Sequence, residues 1–127
     1  MAIVGLGVDQ AQISRFQRFV SEGNEAMLER LFTAGERDYA AGHAIQASHL
    51  AACFAVKESF FKALGTGLRG GLSWLDLEVV HDALGKPDLR LAGRAAAIFQ
   101  ERGLSSLHVS LSHDGNYALA VVVVERL

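Results

Sequence analysis

An α+β fold, with helices packed on a mostly antiparallel sheet, is what this sequence predicts. Three observations predict it. Hairpin signals and strand-like alternation dominate the second half, one long helical segment fills the middle, and no regular strand–helix alternation runs along the chain. The 127 residues are 50% hydrophobic and 20% charged, which suits a single domain spanning residues 1–127 and excludes a disordered or low-complexity chain. No repeat, linker or biased segment interrupts it.

The elements follow in order. Ala2 to Val8 is a short apolar run of small residues that reads as a buried strand, ended by Asp9. A helix follows, with Ile13, Phe16, Phe19 and Val20 spaced for one face and Gln12, Arg15, Gln17 and Arg18 pointing elsewhere. A second short helix covers Asn24 to Phe32, with Met27, Leu28 and Leu31 inward, and Gly35 to Ala41 adds a turn of helix. Ala47 to Leu64 is the strongest helical segment, stopped by Gly65-Thr66-Gly67. Leu72 to His81 reads as a strand through the alternation of Leu75, Leu77 and Val79. The turn Gly85-Lys86-Pro87 leads to a short strand near Asp88 to Leu91, and Gly93 to Arg102 is helical, with Ala96, Ala97 and either Ile98 or Phe99 inward. Leu107, Val109 and Leu111 mark a strand over Ser106 to His113, Asp114-Gly115 signals a hairpin, and Tyr117 to Val124 is the final strand.

Composition narrows the function classes. Twelve Lys and Arg against 14 Asp and Glu leave a net charge of −2, too little positive charge for general coating of nucleic acid. A single cysteine, Cys53, has no partner for an internal disulfide. Met1 to Val8 lacks the basic and long apolar regions of a signal peptide, and no run of about 18 apolar residues occurs. The expectation is a soluble cytoplasmic domain.

Several side chains stand where chemistry is possible. Asp9 closes the first strand, where a carboxylate can reach a cleft; Asp9-Gln10-Ala11-Gln12 also fits a capping box, and the two readings are compatible. On the long helix, Leu50, Cys53, Phe54, Val56, Phe60, Phe61 and Leu64 form one broad apolar arc, and Lys57 falls inside it. A lysine there must pair with an anion or escape into a pocket. Glu58 and Lys62 lie just beyond the arc, one turn apart; they are either an exposed helix pair or part of a site. Two separated carboxylates with lysines suit magnesium, which takes one or two protein carboxylates and keeps water and phosphate oxygens while lysines neutralise the remaining phosphate charge. Gly65-Thr66-Gly67 lets backbone approach a ligand, but it is not a Walker loop. Ser112-His113 lacks an acid at a triad spacing, His43 and His49 fit no zinc pattern, and Cys53 on the apolar arc reads as core; His81 and His108 have no context that singles them out.

Taken together, the segments resemble the holo-acyl-carrier-protein synthase family, the small 4′-phosphopantetheinyl transferases. The resemblance runs almost end to end: IVGLGVD at Ile3 to Asp9 with Ile13 and Arg15 after it, FAVKESFFKALGTG at Phe54 to Gly67, LGKPDLRL at Leu84 to Leu91, and HVSLSHDGNYALAVVVVE at His108 to Glu125. It implies the 4′-phosphopantetheinyl transferase fold and transfer of the phosphopantetheine arm of coenzyme A to a serine of an apo acyl carrier protein. Adenosine 3′,5′-bisphosphate is released, magnesium is required, and the assembly is a homotrimer with sites between subunits. By the same resemblance Asp9 and Glu58 hold the metal, and Glu58 or a water on it takes the serine proton. Lys62, and in the same motif Lys57, meet the phosphates of coenzyme A. Gly65, Thr66 and Gly67 lie along the nucleotide, Ser112 and His113 border it across a subunit interface, and Arg15 and Arg18 meet the acidic carrier protein.

The chain departs from the family pattern in three places. Gln12 stands where an acid is common, Cys53 where an arginine is usual, and Ser59-Phe60-Phe61 where alanines are frequent. The second departure either weakens binding of the 3′-phosphate of coenzyme A or leaves it to another residue such as Arg69 or Lys86. The Gln12 and Cys53 departures support a second reading, a catalytically weak relative that only binds carrier proteins; a third is a metal-dependent phosphohydrolase acting on a small nucleotide.

Overall fold

The computed structural model describes residues Met1 to Leu127. Strand β1, Ala2–Gln12, leads into helices α1, Ile13–Ser21, α2, Glu25–Leu31, α3, Ala34–Ala41, and the long α4, Gln46–Leu64. A short 3-10 helix, Trp74–Asp76, precedes β2, Leu77–His81, and β3, Pro87–Leu91; then come α5, Gly93–Glu101, β4, Ser106–Asp114, and β5, Tyr117–Arg126. One sheet has the order β1-β5-β4 and the other pairs β2 with β3, and every pairing is antiparallel. This is the α+β architecture that the alternation predicts.

The main sheet packs on α4. Ala118, Ala120, Val122 and Val124 of β5 are buried and alternate with more exposed neighbours, as a strand with one covered face requires. Helix α4 is buried on nearly every side because the sheet covers one flank and α1 and α3 the others. Phe16 of α1 closes the far side with edge contacts to Phe19 and Phe32, at ring separations of 5.6 and 5.9 Å.

Two glycines determine how closely strand and helix meet. A Cβ on Gly7 would lie 1.8 Å from the backbone oxygen of Ser59, and one on Gly5 would lie 2.1 Å from that of Ala63. Only glycine allows this approach. Buried Ser59 lies in the seam, its hydroxyl within hydrogen-bond distance of the carbonyls of Ala55 at 2.7 Å and Ala120 at 3.0 Å. Asp9 follows Gly7 on the same face of β1, and Lys62 follows Ser59 by about one helical turn. The seam therefore delivers Asp9 to Lys62.

Some local readings are corrected. The first strand does not end at Asp9: it pairs with β5 through Gln12, and Asp9 lies opposite Ala120. Asp9 thus caps no helix. The first amides of α1 are met instead by Asn116 in the β4–β5 turn, whose carbonyl accepts from Ile13 N and whose Oδ1 accepts from Ser14 N, each at 2.8 Å. The strand expected from Leu72 begins only at Leu77, because Ser73 accepts from Leu75 N and Asp76 accepts from Ser73 N, closing the 3-10 turn. The turn at Gly35 to Ala41 is a full helix, started by a reciprocal Thr33–Glu36 capping box. In α5 the buried residues are Ala95 and Ile98, with Ala96, Ala97 and Phe99 at the margin.

Candidate active site

Where β1 passes the C-terminal half of α4, an open cavity of about 660 Å³ receives Asp9, Glu58 and Lys62. Lys62 does not turn back to Glu58. Its ammonium donates to Asp9 Oδ1 and to the carbonyl of Val8, both at 3.0 Å. A lysine has three donors, and this side chain is 52% exposed, so its remaining donor is accessible to a ligand. Glu58 stands beside this pair. Burial raises its pKa above the ordinary carboxylate value and the nearby Asp9 carboxylate raises it further, while Lys62 and Arg15 oppose both effects. Two carboxylates share the cavity, and no cluster of three or more His, Cys, Asp or Glu side chains forms a metal cage in the molecule. This donor set fits a hard divalent cation that keeps water and substrate oxygens among its ligands.

The rest of the wall was not legible in the sequence. Met27, Arg30 and Leu31 come from α2, Leu68 from the loop after α4, and Trp74 from the 3-10 turn. Trp74 stacks on Phe54 with ring centres 5.0 Å apart. The sequence signal for it was only that the chain has one tryptophan; Arg30 had none. The guanidinium of Arg15 lies 5.1 Å from the Phe54 ring centre and also lines the cavity, while Arg18 is exposed farther along α1.

Lys57 requires a correction. Of its two readings, pairing with an anion is the one realised. Its side chain is 0% exposed, and Nζ donates to Glu36 Oε1 at 2.7 Å, to the Leu31 carbonyl at 2.8 Å and to the Trp74 carbonyl at 3.0 Å. All three donors are used inside the protein, so Lys57 does not reach a phosphate. Cys53 is buried as expected, and burial, then Glu36, push its thiol pKa upward against the opposing Lys57, leaving it inert.

The remaining expected residues lie at two other cavities of the single chain. Gly65 and Thr66 line one of about 370 Å³ with Arg69, Arg94 and Arg102; Gly65 closes α4 in the left-handed conformation, with φ 74°. Gly67, also left-handed at φ 59°, accepts from the Thr66 hydroxyl at 3.0 Å. Ser112 and His113 line a separate cavity of about 290 Å³ with Cys53, His49, His81 and Tyr39. His81 stacks on Tyr39 at 4.2 Å, and His43 and His49 lie 4.1 Å apart. Burial lowers the pKa of His49, helped by His43, His81 and His113. The sequence paired only His43 with His49, because the cluster's other members, Tyr39 of α3, His81 of β2 and His113 of β4, join them through tertiary packing. Lys86 lies by another opening, with Asp82, Asp88 and His108.

The family model described as the 4′-phosphopantetheinyl transferase superfamily matches residues 5–122. A holo-(acyl-carrier-protein) synthase of Geotalea daltonii is 55% identical, over 98% of this chain and 99% of its own. The crystal structure of such a synthase from Neisseria meningitidis superposes with a TM-score of 0.89 at 34% identity, covering 98% of this chain and 100% of that one. The Helicobacter pylori synthase in complex with coenzyme A gives a TM-score of 0.81 at 32% identity, covering 94% and 99%.

Proposed function

We infer that this chain, which belongs to the 4′-phosphopantetheinyl transferase superfamily, is an enzyme that moves the 4′-phosphopantetheine arm of coenzyme A to a serine of an apo acyl carrier protein. The relatives that match it nearly end to end carry that activity in their names. In the reaction the serine oxygen attacks the phosphorus that bears pantetheine. A new P–O bond forms, the bond to the bridging pyrophosphate oxygen breaks, and adenosine 3′,5′-bisphosphate leaves with the electron pair.

The observation that carries the residue assignment is the convergence of Asp9, Glu58 and Lys62 on one cavity. Asp9 and Glu58 are the pair that would hold Mg2+. When bound, the ion supplies positive charge to the phosphate oxygens as negative charge grows on the leaving group. Lys62 adds a donor beside them, oriented by Asp9 at 3.0 Å. Glu58, which reaches the cavity from α4 beside Asp9 and Lys62, is placed to remove the serine proton directly or through water. No nucleophile of the chain's own is needed, which agrees with an inert Cys53.

Gly65, Thr66 and Gly67 are assigned to the nucleotide, with Arg69 beside Gly65 and Thr66 as a source of positive charge. Arg15 and Arg18 are assigned to the acidic carrier protein, Arg15 reaching the cavity edge and Arg18 lying on the exposed surface of α1.

A homotrimer is supported by the outer face of the main sheet. There Leu6 is 64%, Val8 51% and Leu119 40% exposed, an apolar surface of the kind that another copy covers. Ser112 lies opposite Leu119 on that face. In such an assembly Ser112 and His113 serve the nucleotide of a neighbouring protomer. No helix is long and apolar enough to cross a membrane, and we place the reaction in the cytoplasm.

The test is mass spectrometry of apo carrier proteins incubated with coenzyme A, Mg2+ and the enzyme. Transfer adds one phosphopantetheine per carrier. Binding of the carrier without transfer would instead favour the weak-relative reading, and nucleotide hydrolysis without an acceptor would favour the phosphohydrolase.

A further inference from the structure

The cavity's second wall is held by groups that never touch it. Helix α2 supplies Met27, Arg30 and Leu31, and the 3-10 turn supplies Trp74. Neither segment has an extended backbone ladder to α4. Both are joined to it by one buried ammonium, because Lys57 Nζ donates to Leu31 O and Trp74 O at 2.8 and 3.0 Å. These are the last residue of α2 and the first of the 3-10 turn. Lys57 directly precedes Glu58 on α4, so the wall is tied to the helix residue beside the catalytic carboxylate.

Glu36 holds the ammonium in turn, and its own position is fixed on every side. Oε1 accepts from Lys57 at 2.7 Å and from Thr33 N at 2.8 Å, and Oε2 accepts from Val79 N at 2.8 Å. The carboxylate thus closes the capping box of α3, pins β2 and neutralises Lys57, while remaining 2% exposed. Burying such a pair offers little net stability over an apolar pair of similar volume, because desolvation offsets the attraction. A fully satisfied polar network does fix geometry.

We propose that Lys57, locked by Glu36, is a positioning residue that pins the Leu31 and Trp74 carbonyls and so sets the wall facing Glu58. The kinetic part of this inference rests on the transferase reading above; the structural part does not.

The test uses the double variant Glu36→Gln with Lys57→Met, which leaves no lone buried charge, compared with wild type after circular dichroism shows both folded. Trp74 is the chain's one tryptophan and is 9% exposed, so its fluorescence reports the wall directly. The expected result is emission at longer wavelength and at least about a twofold rise in acrylamide quenching. In the same protein kcat per folded molecule falls about tenfold or more while KM for coenzyme A stays within about threefold, because Asp9, Lys62 and the Gly65 loop are untouched. Loss of stability alone would lower the folded fraction without moving the quenching of folded protein or kcat per folded molecule. A folded double variant with wild-type quenching overturns the proposal. So does one with altered quenching but wild-type kcat. If wild type transfers nothing, the transferase reading fails, and the quenching comparison still decides whether the pair holds the wall.

Discussion

Lys62 on α4 donates to Asp9 on β1 across 3.0 Å, a bond made possible because Gly7 lets the strand lie against the helix backbone at Ser59. The strand thereby brings a carboxylate to a helix that already carries Glu58 and Lys62. Replacing Asp9 by Asn keeps the shape but removes a metal ligand and the anchor of Lys62. Transfer should fall by at least about 100-fold. The melting temperature should hardly move, since a pair whose lysine is 52% exposed contributes only about 0–1 kcal/mol. Steady-state kinetics and a thermal melt on the same sample check both halves.

Lys62→Met should leave the fold intact and lower kcat by about 100-fold, with a rise in KM for coenzyme A, because the substrate phosphates lose a charged donor in both ground and transition states. An unchanged KM would mean that Lys62 acts only as charge grows in the transition state.

Glu58→Gln should separate stability from activity. The carboxyl's pKa is raised in the folded chain, by burial first and Asp9 second. The native state therefore holds this proton to higher pH than the unfolded state does. Stability falls as pH rises from the unfolded value through the raised folded value, and the penalty persists at neutral pH. Gln carries no such penalty. In chelator, the variant should melt a few degrees higher at pH 7, and the difference should shrink as pH drops below the usual carboxylate range. Transfer should be lost. A lower melting point at pH 7 would contradict the electrostatic description of the site.

Arg18→Glu tests the carrier-protein face. The side chain is exposed on α1 and makes no ion pair. KM for an acidic carrier should rise about tenfold at low salt with kcat nearly unchanged, and the deficit should narrow at high salt as the charges are screened. A salt titration of the kinetics reads this directly.

Gly7→Ala should be severe. Its Cβ would lie 1.8 Å from the Ser59 backbone oxygen, so strand and helix must separate at a cost of about 3 kcal/mol or more. Chemical denaturation measures the loss, and the separation should also lengthen the Asp9–Lys62 contact and depress kcat of the folded fraction.

Much of this was legible in the chain itself. Alternation along Leu107, Val109 and Leu111 marked β4, Gly65 marked the end of α4, and the resemblance of the Phe54 to Gly67 segment marked Glu58 and Lys62 as candidates, which the fold brings with Asp9 to one cavity. Periodicity also singled out Lys57 as a charge inside an apolar arc. It did not name the partner, because Glu36 lies 21 residues away and only the packing of α3 on α4 brings it close. For the same reason the alternation of Leu75, Leu77 and Val79 overextended β2: side-chain caps from Ser73 and Asp76 turn that backbone before it can pair. Asp9 had a local capping signature, but hydrogen bonds to β5 kept its segment extended. Met27, Arg30 and Trp74 join the cavity through tertiary packing alone.

Asp9, Glu58 and Lys62 are proposed above as a metal-assisted phosphopantetheine transfer site. The most direct measurement weighs an apo carrier protein after incubation with coenzyme A, Mg2+ and either wild type, Asp9→Asn or Glu58→Gln, with a chelator control. Wild type with Mg2+ should add one phosphopantetheine, and either variant, or chelator, should leave almost none. Full modification by either variant, or no modification by wild type of a carrier that another transferase modifies under the same conditions, would contradict it.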